Sequence, residues 1–147
     1  MRFKPDMSES GNEPVADGIY NLTIYGEPKI KLSKGDKTKG LPYLTFQLNH
    51  NGSSGPPIFE RVFIVGKQAW RFSNLMKQLG LTKNDISEME VVTADGSDPS
   101  TEQDAPASLI VQGQPFSVAG KPVTALLSTE QDEEFGPKNR IKKYVAS

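Results

Sequence analysis

Cysteine is absent from this 147-residue chain, and histidine occurs once. Without cysteine there is no disulfide framework, no thiolate nucleophile and no cysteine-type zinc site. A Ser-His-Asp triad would have to use His50, and no nucleophile-elbow sequence stands anywhere to serve it. His50 itself falls in the turn-like stretch "NHNGSSG" and is expected to be an exposed turn residue. No apolar run approaches the roughly 20 residues of a membrane-spanning helix. The opening "MRFKPDMSESGNEPVADG" also lacks the apolar centre of a signal peptide. "GDKTKG", Gly35 to Gly40, looks superficially like a phosphate-binding loop, but Leu41 and Pro42 follow where that loop needs Lys-Ser/Thr. The acidic clusters have neither calcium-loop spacing nor a helical frame. These absences argue against an enzyme, a metal site, a cofactor and a membrane partner. They suit a soluble, intracellular protein.

Net charge is nearly absent too, with 17 Lys and Arg against 18 Asp and Glu. The balance hides a segregation. Residues 29–39 hold Lys29, Lys31, Lys34, Lys37 and Lys39 against Asp36 alone, and Lys138, Arg140, Lys142 and Lys143 form a second basic block. Opposing them are Asp95, Asp98, Glu102 and Asp104, then Glu130, Asp132, Glu133 and Glu134. Any one block is most simply a solvated loop. Two basic blocks that meet in the fold would form a binding track.

The length is that of a single domain, and 13 Gly with 11 Pro suit a β-rich one with long loops. Residues 1–17 are polar and read as a flexible N-terminal arm, leaving one domain over 18–145. "GIYNLTIYG" alternates with the period of a strand, "KLSKGDKTKG" is an aperiodic loop, and "LPYLTFQLN" and "IFERVFIV" are the next two strands. "GKQAWRFSNLMKQLGL" puts Ala69, Phe72, Met76 and Leu79 at helical spacing, with Leu75 widening the stripe and Gly80 as a stop. Its Trp and Met content is expected to be core packing. Residues 81–120 form an insertion with a short helix capped by Thr82 or Asn84 and a mobile acidic loop at 95–104. Within it "ASLIVQGQPFSVAG" is ambiguous between helix and strand. Strands return in "KPVTALLST" and "NRIKKYVA". The expected fold is all-β with minor α: a five-stranded, OB-fold-like Greek-key barrel whose main helix lies between strands three and four.

In such a barrel, strands two and three face the ligand, flanked by the loop between strands one and two, "KLSKGDKTKG", and the loop between strands four and five, the acidic "EQDEEFGPK". Here that means a lysine-rich loop beside Tyr43, Phe59, Arg61 and Phe63. A sequence-tolerant binder of single strands needs cations along the phosphate path and rings for the bases to stack on. Alternation puts Tyr43 and Thr45 on one face of strand two, with Phe46 a core candidate. Phe59, Arg61 and Phe63 share a face of strand three, although Phe59 and Phe63 suit a barrel core as well as a surface. Arg140 and Lys142, expected to share a face with Tyr144, would extend the phosphate track along the last strand. The alternative is a non-enzymatic virion or assembly protein that uses the small barrel as an interaction module.

The run "DGIYNLTIYGEPKIKLSKGDKTKGLPYLTFQLNHNG…IFERVFI…AWRFSNLMKQLGL" resembles phage-encoded OB-fold single-stranded-DNA-binding proteins. The shared elements are a G-x-Y opening strand, a K-x-S-K-G loop before a P-Y-L strand, and a helix ending in LGL. A Gly-Lys strand at Gly120-Lys121 and the basic final strand "KNRIKKYV" complete them. The likeness covers about residues 17 to 81 and 119 to 145. It implies single-stranded DNA as partner in phage DNA replication or recombination, in the cytoplasm of an infected bacterium, alongside phage or host replication and recombination proteins. Two departures stand out. The last residues are "IKKYVAS" rather than an acidic tail, and the acidic loop 95–104 is long.

Overall fold

A 15-residue first strand, β1 (Gly18–Leu32), runs through the middle of the molecule. The computed structural model describes residues 14–51, 55–133 and 136–145. Among these the chain is mostly β. β2 (Pro42–His50) and β3 (Ile58–Phe63) precede α1 (Ala69–Gln78) and α2 (Lys83–Ser87). β4 (Glu90–Thr93), β5 (Ala105–Val111), β6 (Gln114–Phe116), β7 (Pro122–Asp132) and β8 (Gly136–Tyr144) follow. β1, β2 and β3 form the expected antiparallel meander. On its other edge β1 has two partners: residues 18–23 pair with β7, and Lys29 and Ile30 pair with β5. The change of partner falls at a bulge, where the register to β2 slips between Tyr25 and Lys29. Gly26, at φ 71°, takes the left-handed conformation there, which a Cβ would strain. Glu27 Oε1 pins the bend by accepting from Ser117 Oγ at 2.9 Å and from the N–H groups of Val118 and Ala119 at 3.0 and 2.9 Å.

Strict alternation gives the sheet one apolar face. Leu22, Ile24 and Ile30 of β1 meet Leu44, Phe46 and Leu48 of β2 and Ile58 and Val62 of β3, all buried. α1 covers this face with Phe72, Leu75 and Met76. Its end follows the expected stop. Gly80 adopts φ 92°, its N–H bonds to the Lys77 carbonyl, and the Leu81 N–H reaches the Met76 carbonyl. Trp70 departs from the expected core role and stands exposed, because it lies off the Phe72–Leu75–Met76 stripe. Thr82 caps α2 in a reciprocal box with Asp85.

Several expectations need correction. The described residues carry eight strands rather than five, because the 81–120 segment contributes β4, β5 and β6 as well as α2. The ambiguous "ASLIVQGQPF" is a hairpin whose turn, Gln112-Gly113, has both residues at positive φ, 53° and 76°. No ladder joins β3 to β8 among the described residues, so the sheet is not closed. Residues 1–13 of the expected arm lie outside the described residues, but 15–17 are docked rather than free. Asn139 holds the Val15 backbone at both its N–H and carbonyl, and Asp17 accepts from Thr129. His50 ends β2 instead of sitting exposed in a turn, its ring edge-on to Tyr20 at 5.4 Å. Tyr144 does not share a face with Arg140 and Lys142. A bulge opposite Leu126 and Leu127 resets the alternation and turns Tyr144 inward.

That inward turn builds a buried polar cluster across the unclosed edge. Glu60 of β3 pairs with Arg71 of α1 at 2.9 Å, both largely buried. Arg71 also donates to the Ile141 carbonyl of β8, and the Tyr144 hydroxyl donates to Glu60 at 2.7 Å. The cluster joins β3, α1 and β8 where backbone pairing does not. Burial, reinforced by the Glu60 charge, pushes the Tyr144 phenol well above its ordinary value near 10. The folded state therefore keeps the proton that the unfolded chain releases near pH 10, so stability is lost as pH rises past that point. Unfolding midpoints between pH 9 and 11 should fall with pH, and Tyr144→Phe should flatten the fall. Parallel curves for the two proteins would mean that the phenol is not held in this way.

Candidate nucleic-acid interface

The apolar face of the meander is core, so its other face is free to carry chemistry. Register fixes what stands there. Lys31, Tyr43 and Phe63 form one cross-strand row, and Lys29, Thr45 and Arg61 form the next. Phe59 and Arg61 are exposed and Phe63 is half-buried, while Ile58, Glu60 and Val62 between them are buried. The shared face of Phe59, Arg61 and Phe63 is thus the outer one, and Phe46 is core. Neither Phe59 nor Phe63 lies in the apolar core.

Next to these rows lies an open cleft of about 440 Å³, lined by Lys31, Ser33, Lys34, Tyr43, Arg61 and Phe63 among others. Tyr43 and Phe63 meet edge to face with centroids 5.7 Å apart, and the Arg61 guanidinium lies 5.9 Å from the Tyr43 centroid. Three cations and two rings therefore converge on one hollow.

The lysines divide in a way the sequence did not suggest. β1 runs six residues past the expected strand end, so Lys29 and Lys31 belong to the sheet and only Lys34, Lys37 and Lys39 to the loop. The loop is internally bonded. Ser33 Oγ lies 2.7 Å from Thr38 Oγ1 and accepts from the Gly35 N–H at 3.2 Å, and the Ser33 backbone bonds to Gly40 and Leu41. Lys37 and Lys39 are exposed on this loop, away from the cleft lining. Ser33 and Thr101 are cleft residues that the charge pattern missed. The "SKGDKT" spacing, with a hydroxyl five residues from its partner and a glycine between, was the available signal for Ser33.

The acidic loop borders the same cleft. The Leu32 N–H donates to the Ser100 carbonyl at 2.8 Å, Thr101 lines the cleft, and Glu102 pairs with Lys34 at 3.1 Å. The hydrogen bond from Lys34, with a further one from Thr101, lowers the Glu102 carboxyl below its usual range. Both partners of this pair are well exposed, so an incoming phosphate can compete for Lys34.

Arg140 and Lys142 are not brought to the cleft. They are exposed on β8, where Arg140 pairs with Glu130 at 3.2 Å. β8 reaches β1 only through β7, and β7 pairs with the first residues of β1, the end far from Lys31. Among the described residues no group of three or more potential metal ligands is found, and no helix is long and apolar enough to cross a membrane. Neither a family model, nor a curated protein, nor a solved structure matches the chain.

The two sides of the meander should respond differently to truncation. Phe59→Ala, at an exposed site, should change unfolding free energy by less than about 0.5 kcal/mol. Phe46→Ala should cost about 3–5 kcal/mol, because it leaves a core cavity. Chemical denaturation of both variants checks the assignment of faces.

Proposed function

We propose that the chain binds single-stranded nucleic acid, DNA in the first instance, with little base preference, on the outer face of β1, β2 and β3. The observation that carries this is the convergence of Lys31, Lys34 and Arg61 with the Tyr43–Phe63 ring pair on one open cleft. Cations placed along a backbone path beside ring faces match what a flexible polyanion with unstacked bases offers. Duplex DNA, with its bases stacked inside, offers phosphates but no ring faces, so it should bind more weakly.

The chain order supports an OB-type reading. A three-strand meander is followed by α1, then by β7, which pairs with β1, and by β8, which pairs with β7 and lies against β3. The insertion β4–β6 and the unclosed edge are what set it apart. Protection or presentation of single strands in phage replication or recombination, in the bacterial cytoplasm, is the setting that the family resemblance adds. The protein is then a binder and not an enzyme. A virion or assembly module remains the competing reading.

A labelled oligonucleotide titrated across a salt series tests the proposal. With three or four cations each neutralising one phosphate, log K should fall against log salt with a slope of about −2 to −3. Replacing Lys31 and Lys34 together with alanine should flatten the slope. Tyr43→Ala should instead cost about 1–3 kcal/mol in affinity and leave the slope nearly unchanged. No binding at low salt by the folded protein would favour the assembly module.

A further inference from the structure

We infer that the outer face carries a second base-stacking station, Tyr25 and Phe59 on either side of Gln47, which a single strand reaches from the cleft by crossing Lys29 and Arg61. The inference rests on the function proposed above and extends its site along the strands. Three aromatic side chains stand most open to water among the described residues: Tyr25 at 64%, Phe59 at 62% and Trp70 at 59%. Two of the three occupy one cross-strand row, since Tyr25 pairs with Gln47 and Gln47 with Phe59. Two exposed rings in one cross-strand row add little to the fold, and this row continues the outer face that carries the cationic cleft.

Geometry makes this row a separate station. Tyr25 and Phe59 lie two strand spacings apart, about 10 Å, too far to pack on each other. Tyr43 and Phe63, by contrast, already share an edge contact. The Tyr25 row is displaced four residues along β2 from the Tyr43 row, about 13 Å. At the 3.4 Å spacing of a stacked strand that distance covers about four nucleotides, within the site size of one barrel of this kind. Between the two rows stand Lys29, Thr45 and Arg61, which place positive charge where the connecting phosphates would pass. Charge complementarity and continuity with the cleft thus point to nucleic acid as the occupant, rather than to a second copy of the chain.

The station is also held in place. Tyr25 directly precedes the bulge, where Gly26 turns, Glu27 receives its three donors and Pro28 is buried. A ring carried on a fixed bend loses less freedom on stacking than one on a loose loop.

The test uses the full chain with an eight-residue oligothymidylate, read by anisotropy at low salt. Tyr25→Ala should weaken binding about five- to a hundredfold, and Tyr25→Phe should bind as the parent does, because stacking needs the ring and not the hydroxyl. The salt slope should be the same in all three proteins. Tyr25→Ala at parental affinity, while Tyr43→Ala is weakened, would overturn this inference and leave the proposed function standing. Failure of the parent protein to bind would remove both. Sedimentation of the protein alone supplies the other outcome. A dimer that Tyr25→Ala dissolves would show the face to be covered by a second copy, and would likewise overturn the inference.

Discussion

Gly26–Pro28 bend β1, and that bend decides which strands the two ends of β1 can reach. A straight strand of this length would keep one neighbour along its second edge. The bulge instead hands that edge from β7 to β5, so the two ends of β1 serve different parts of the fold. Its first half helps enclose the core with β7. Its second half carries Lys29 and Lys31 outward and meets the insertion that walls the cleft. One carboxylate oxygen on Glu27, accepting from the 117–119 turn, fixes the angle. Charge-assisted bonds of this kind are stronger than neutral ones, and three of them on one oxygen define a direction. Cleft, insertion and outer rings take their relative positions from that bend.

A second device holds the edge that backbone pairing leaves open. Glu60, Arg71 and Tyr144 bring β3, α1 and β8 together through side chains. A buried ion pair adds little net stability over an apolar packing of the same volume, because both charges lose water. It does impose geometry, since few arrangements satisfy all three groups. The outer face of β3 is thereby presented with Phe59, Arg61 and Phe63 in a set order, on the reverse of the strand that carries Glu60.

Much of this was legible in the sequence where local periodicity decides structure. The meander, α1 with its Gly80 stop and the Thr82 cap all follow from alternation or capping chemistry. So does the outward face of Tyr43, whereas alternation put Phe59, Arg61 and Phe63 on one face and left the two phenylalanines open between core and surface. What could not be read depended on partners distant in sequence. β1 continues past Gly26 because Lys29 to Leu32 pair with β2 on one edge while Lys29 and Ile30 pair with β5 on the other, and no window around residue 29 reveals the second pairing. Tyr144 turns inward because a bulge against Leu126 and Leu127 shifts the alternation by one. Arg140 and Lys142 have the charge of a phosphate track, but pairing with β7 carries them toward the wrong end of β1. Charge pattern locates cations along a chain, and register decides which of them meet.

Whether single-stranded nucleic acid lies on the proposed outer face of β1, β2 and β3 is decided by amide and side-chain chemical shifts, followed residue by residue while an unlabelled oligothymidylate is titrated in. Shifts should concentrate at Lys31, Ser33, Lys34, Tyr43, Arg61 and Phe63, with β8 and the exposed face of α1 unmoved. Shifts centred instead on Trp70 and α1, or on Arg140 and Lys142 of β8, would contradict that placement.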